Sequence, residues 1–396
     1  MSTHESASAL HLSRRNLMKA AAALLVNKYA AAHRPLWARA QAPYTGRKVI
    51  VVACGGIRRA ETFSQSGVKN IPHLYRDLLP HSVFYPSVRN AGVTSHFNTT
   101  SSILTGQWQR VDDWGKTPPA SPTLFEHLRK QQQLPREQTW LISSNKALTS
   151  KIGASSVPGF GPAYGANVVF PKQMLINAVV HAAGEGRAVH STERSAVLPE
   201  IEAMLNRDNF DGLGWSVASD ASTLDPLTLG AIEQAIQNLV HTNAPVTGDE
   251  FTYLVSVEIM RRFAPALMVL SFSDMEVAHF GSYAMHLGGI RTVDRLVFEL
   301  WNQVQSMPAY KDNTTLFVLP EFGRDADGSN TNGFFNHRQD ADSTRLTWMI
   351  CLGDAARKPQ VVEDPCAHIS LFPSIARILA LRGEEFNAAP LAGLAL

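Results

Sequence analysis

The sequence predicts an α/β fold: a doubly wound, mostly parallel sheet with helices on both faces. Two observations carry this. Short apolar, β-branched runs recur along the chain, and helix-length amphipathic segments lie between them. A third observation gives the sheet a working edge. Gly55, Asp274 and Glu321 each follow directly on an apolar run, at the carboxyl ends of strands, where open α/β sheets bind ligands.

KVIVVAC at 48–54, ended by Gly55-Gly56, reads as a strand buried on both faces, because it is apolar throughout rather than alternating. The same pattern returns as TWLISS at 139–144, ALMVLSFSD at 266–274, TTLFVLPE at 314–321 and TWMICLGD at 347–354. In SPTLFEHLRKQQQ, helical spacing puts Leu124, Phe125 and Leu128 on one face. In TVDRLVFELWNQVQSM it aligns Val293, Leu296, Val297, Leu300 and Val304. Residues 150–255 differ. A Gly- and Pro-rich stretch precedes two helical segments, SAVLPEIEAMLN and DPLTLGAIEQAIQNLVH, and we read this region as a cap-like insertion in a domain spanning 43–396.

Residues 1–42 stand apart. Ser13-Arg14-Arg15-Asn16-Leu17-Met18-Lys19 precedes the apolar run AAAALLV, and small residues at Ala38-Arg39-Ala40 and Ala40-Gln41-Ala42 offer cleavage sites. Paired arginines in this setting resemble a twin-arginine export signal, which implies the twin-arginine machinery as a partner and a periplasmic or secreted protein. Lys28, His33 and Arg34 break the apolar stretch and leave a basic tail as the other reading.

Of 396 residues, 45% are hydrophobic and 18% charged, and the formal net charge of +2 gives no strong signal for a partner. No Lys/Arg stripe follows the first forty residues, which argues against nucleic acid. No apolar run approaches the ~18 residues a transmembrane helix needs. The three cysteines, Cys54, Cys351 and Cys366, have no metal-ligand spacing and indicate no disulfide framework.

The order of motifs resembles the alkaline phosphatase and sulfatase superfamily, metal-dependent hydrolases of phosphate and sulfate esters. The resemblance runs through the Gly-Gly-Ile-Arg-Arg following the first strand, NIPHL at 70–74, SHFNTTSSILTG at 95–106, and DMEVAHFG at 274–281. It continues through Asp294, TTLFVLPEFGR at 314–324, NHR at 336–338 and HISLFPSIARILAL at 368–381. It implies two adjacent metal ions clamping an in-line displacement.

Residue by residue, the implied ion cage is incomplete. The first-strand carboxylate position is Gly55 or Gly56, and the later Asp-His-Gly reads Glu321-Phe322-Gly323. Counting back nine residues from Thr105 to the nucleophile position lands on His96, with Thr94 and Ser95 as hydroxyl alternatives just before it. His96 is left open as a metal ligand, base or nucleophile. Asp274, His279 and His337 match the other ion's ligands, with Glu321 as a further oxygen donor, a set suited to zinc or a similar divalent metal. Arg58 or Arg59 would face an anionic ester. Two functions follow: a divergent one-metal hydrolase acting on a small anionic ester, or a non-catalytic relative that binds a ligand or a protein partner.

Overall fold

In the computed structural model the described residues are 44–108, 117–172, 247–328 and 333–396. Nine strands form one sheet: β1 (Lys48–Gly56), β2 (Val83–Arg89), β3 (Thr139–Ser143), β4 (Asn167–Val169), β5 (Leu267–Phe272), β6 (Thr314–Phe322), β7 (Leu346–Gly353), β8 (Gln360–Val361) and β9 (Cys366–Ala367). Their order is β4-β3-β5-β1-β6-β7-β2-β8, with β9 also paired to β2. β1 lies at the centre, parallel to both β5 and β6, while β7 runs antiparallel to β6 and β2.

All five strand runs expected from the sequence are strands, and β1 and β6 are buried at every residue. The pleat turns alternate side chains to opposite faces. Ile50, Val52 and Cys54 accordingly enter one core, with α3 (Gly248–Phe263) and α4 (Tyr283–Ser306) packed against it. Val49 and Val51 enter the other, which α1 (His96–Thr105), α2 (Leu124–Gln132) and α5 (Leu371–Ile378) cover. The faces expected of α2 and α4 are the buried ones. Two layers of helix over one mixed sheet make the doubly wound architecture.

Both ends of the 150–255 region join this sheet domain: β4 pairs in parallel with β3, and α3 packs beneath β5. The two cap helices expected within it, and residues 1–42, lie outside the described residues. Among the described residues no helix is long and apolar enough to cross a membrane.

Candidate metal centre

Four segments bring polar side chains to the carboxyl ends of β1, β5 and β6. α1 opens at His96, after Ser95 in extended conformation. A 3-10 helix, Asp274–Phe280, follows β5 and carries Glu276 and His279 one turn apart, so both project from one side. β6 ends at Glu321-Phe322. His337 follows a short 3-10 turn, Gly333–Phe335.

Ligand atoms of His96, Glu276, His279 and His337 all lie within 4.8 Å of one another. Glu276 Oε2 is 3.4 Å from His96 Nε2 and 3.2 Å from His279 Nε2, and His279 Nε2 is 3.2 Å from His337 Nε2. The outward-facing atoms are anchored. His96 Nδ1 is 2.5 Å from Glu321 Oε2, and His337 Nδ1 is 2.7 Å from the Thr94 carbonyl oxygen. With Nδ1–H donating in each case, both rings turn Nε2 inward, the orientation metal-ligating histidines usually adopt; at His96 a metal ion would take the place of the Nε2 proton. The Gly56 N–H donates to Glu276 Oε1 at 2.5 Å, and Arg324 Nη2 donates to Glu276 Oε2 at 2.5 Å. Three imidazole nitrogens and one carboxylate oxygen are a fitting donor set for one zinc-like divalent ion.

The electrostatics follow from burial. Burial alone would raise the Glu276 carboxyl, but Arg324 and His96 beside it hold it well below the usual carboxylate range. Burial opposes a charge on His96, yet Glu276 and Glu321 outweigh it and push its pKa up to about 10. Burial, with His96 as a neighbouring cation, keeps His337 well below the ordinary imidazole range.

Among the described residues a second ion of the implied kind finds no cage. A Cβ at Gly55 would come within 2.2 Å of Glu276 Oε1, and one at Gly56 within 2.9 Å of the Phe322 ring and 3.2 Å of Arg324 Nη2. Phe322 stacks on His337 at 4.2 Å between ring centroids and leans on His96 at 4.9 Å. The volume that a carboxylate on β1 would enter is already filled.

Of the residues singled out from the sequence, His96, His279 and His337 come together, and three others are placed differently. Asp274 faces α3, where its Oδ2 accepts the Asp249 N–H at 2.7 Å, and Glu276 takes the place in the cluster expected of Asp274. Glu321 stands behind His96 rather than in the cluster, and its other oxygen accepts the Thr100 hydroxyl. Arg58 is buried between Glu61, Asp327 and the Asp325 carbonyl, and does not point a free guanidinium at an anion. The Thr94 hydroxyl donates to the His337 carbonyl at 2.6 Å, and Ser95 Oγ accepts from Asn98 at 2.8 Å. Cys54 is fully buried in the core, and burial pushes its thiol up.

Sequence reasoning missed Glu276, although Glu276-x-x-His279 is a spacing that places a carboxylate and an imidazole on one side of a helical turn. Arg324, which in the sequence reads like Arg58 as an anion contact or a rim residue, has a structural part instead. That side chain is wholly buried, bridging Glu276, the Gly56 carbonyl at 2.7 Å and the Phe334 carbonyl at 3.2 Å.

No protein-family pattern and no curated protein matches the sequence. Solved structures do match. One is a protein in the alkaline phosphatase superfamily from Vibrio parahaemolyticus, 11% identical, with a TM-score of 0.53 over 93% of this chain and 79% of that one. Others are the phosphonate monoester hydrolase of Agrobacterium radiobacter (13% identity, TM-score 0.49, 85% of this chain and 74% of that one) and the lipoteichoic acid synthase LtaP from Listeria monocytogenes (10%, 0.48, 91% and 78%). At 11% identity the first likeness speaks for architecture, which agrees with the sheet and its helical layers: this chain has the fold of the alkaline phosphatase superfamily.

Proposed function

We propose that this protein is a one-metal hydrolase of phosphate or sulfate esters, its ion held by His96, Glu276, His279 and His337. The observation that carries the reading is the convergence of four donor atoms from three segments, with two of the imidazoles held from behind so that Nε2 faces inward. A bound divalent ion would supply Lewis acidity and a lowered pKa for attacking water. The chain's own residues do the rest. Glu276 neutralises charge in the crevice, and Glu321 and the Thr94 carbonyl fix the rings. Phe322 walls off the side facing β1. Water is favoured over a protein hydroxyl as the attacking group, because the Thr94 and Ser95 oxygens already have partners.

The second reading is a non-catalytic relative that binds a ligand or a protein through the same crevice. It is favoured by the count of donors, since four protein ligands can close a zinc site and leave no place for water. Elemental analysis of purified protein, followed by turnover of an aryl phosphate and an aryl sulfate, separates the two. The hydrolase reading expects one ion per chain and turnover that Glu276→Gln abolishes. Stoichiometric metal without turnover leaves the binding reading, and no metal in either wild type or His337→Ala removes the hydrolase. In keeping with Ser13–Lys19, the proposal places the protein outside the cytoplasm after twin-arginine export; replacing Arg14 and Arg15 with lysine should retain it inside.

A further inference from the structure

The four donors are not equally fixed. His96 and His337 each have Nδ1 anchored, and Glu276 has one oxygen on the Gly56 N–H and the other on Arg324. His279 differs. Both its close polar contacts, to Glu276 and His337, are made by the single inward nitrogen Nε2, and among the described residues nothing holds its Nδ1. Its side chain is 25% exposed, against 7% for His96 and 1% for Glu276. It sits near the C-terminal end of a 3-10 helix that stops at Gly281, in left-handed conformation (φ +80°). His279 is thus the outermost donor, and the one held by no contact beyond those of its inward nitrogen.

Resting on the one-metal reading above, we infer that His279 is the exchangeable ligand. His96, His337 and Glu276 form the permanent seat, and an incoming tetrahedral oxyanion such as phosphate takes the place of the His279 imidazole. This reconciles a four-donor set with a reactive site. The site is closed at rest and opens on its solvent side, where the substrate arrives. It also assigns the anion a place without a free arginine, since Arg58 and Arg324 are both committed to carboxylates.

Cobalt(II), whose visible spectrum reports its ligands, gives a test that does not need turnover. The full-length wild type, His279→Ala and His337→Ala are loaded with cobalt, and inorganic phosphate is then added. His279→Ala is expected to keep one cobalt per chain, because three donors remain. His337→Ala is expected to lose stoichiometric binding. Phosphate should change the wild-type spectrum and bind several-fold tighter to His279→Ala, and free imidazole should restore the resting spectrum of that variant. Circular dichroism of the metal-free His279→Ala variant checks that it keeps the wild-type fold. Equal loss of cobalt in the two variants, or a wild-type spectrum indifferent to phosphate, overturns the inference while leaving the metal centre standing. A wild type that takes no cobalt removes the one-metal reading and this inference with it.

Discussion

Replacing Arg324 with methionine should destabilise the metal-free protein by about 3 kcal/mol, at the lower end of the 3–5 kcal/mol typical of breaking a buried ion pair. The structure sets that value. Arg324 has no exposed side-chain surface, and its loss leaves the Glu276 carboxylate, 1% exposed, without its closest cation. The full penalty is not expected because His96 Nε2, 3.4 Å away, remains as a second positive group. With an unfolding entropy near 2.1 cal/mol/K per residue over the roughly 270 described residues, about 3 kcal/mol corresponds to a fall in melting temperature of about 5 °C. The assay is thermal unfolding in the presence of chelator, followed by circular dichroism. Because the penalty comes from a stranded charge, Arg324→Met with Glu276→Gln should be more stable than the sum of the single effects predicts; the amide keeps an acceptor for the Gly56 N–H but carries no charge. A single variant within about 0.5 kcal/mol of wild type, or strictly additive changes, would refute the account of this pair.

Three further outcomes follow. Glu126, buried at the start of α2, accepts from the N–H and hydroxyl of both Thr123 and Ser155 and from the Gly161 N–H. Glu126→Gln sets an amide N–H against some of those donors and should cost about 1–3 kcal/mol, with faster proteolysis in the 153–161 loop. Burial lowers the pKa of Lys48 to about 8 from an ordinary 10.5, so the unfolded chain binds more protons between those values and this residue's contribution to stability rises with pH there. Lys48→Met should remove that slope and stabilise the protein near pH 7 by up to about 3 kcal/mol, less whatever the Tyr44 carbonyl and the Tyr44 and Tyr310 rings return, as urea melts at pH 7 and 10 would register. Gly289 lets α4 approach the 274–280 turn so closely that an added Cβ would sit 2.6 Å from Met275 Cα. Gly289→Ala should therefore displace Glu276 and His279 and weaken metal binding by about tenfold or more, measured by chelator competition.

The fold was legible where burial writes a continuous pattern. β1, β5 and β6 are covered on both faces, so each is an unbroken apolar run. β2 gives a poorer signal: Pro86 interrupts VFYPSVR, its burial is uneven, and its pairing with β7 shifts register between Tyr85 and Val88. Three of the chain's fourteen histidines, His96, His279 and His337, are singled out by their motif-like settings, and the structure brings them together. The choice between Asp274 and Glu276 was not legible. Both follow β5, and their roles depend on how the 3-10 turn is rotated, which is fixed by the N-terminus of α3 holding Asp274 and by Gly289 admitting α4. Such long-range packing leaves no local trace. Arg324 was hidden for the same reason: an arginine after a strand reads as a rim residue until the carboxylate it neutralises is placed beside it.

The departures at Gly55, Gly56 and Phe322 are coupled rather than independent. Without a side chain on β1, the Gly56 N–H and carbonyl are both open, and Glu276 and Arg324 take one each. That pair brings its own compensation, a carboxylate and a guanidinium at 2.5 Å, so the crevice needs no second ion to balance charge. Phe322 then packs where an imidazole would have been a ligand, its ring lying along His337. Restoring one missing ligand in this frame cannot restore a two-ion cage: a carboxylate at Gly55 collides with Glu276, and one at Gly56 with Phe322 and Arg324. Among the described residues, the donor atoms of His96, Glu276, His279 and His337 could hold one cation beside one fixed guanidinium.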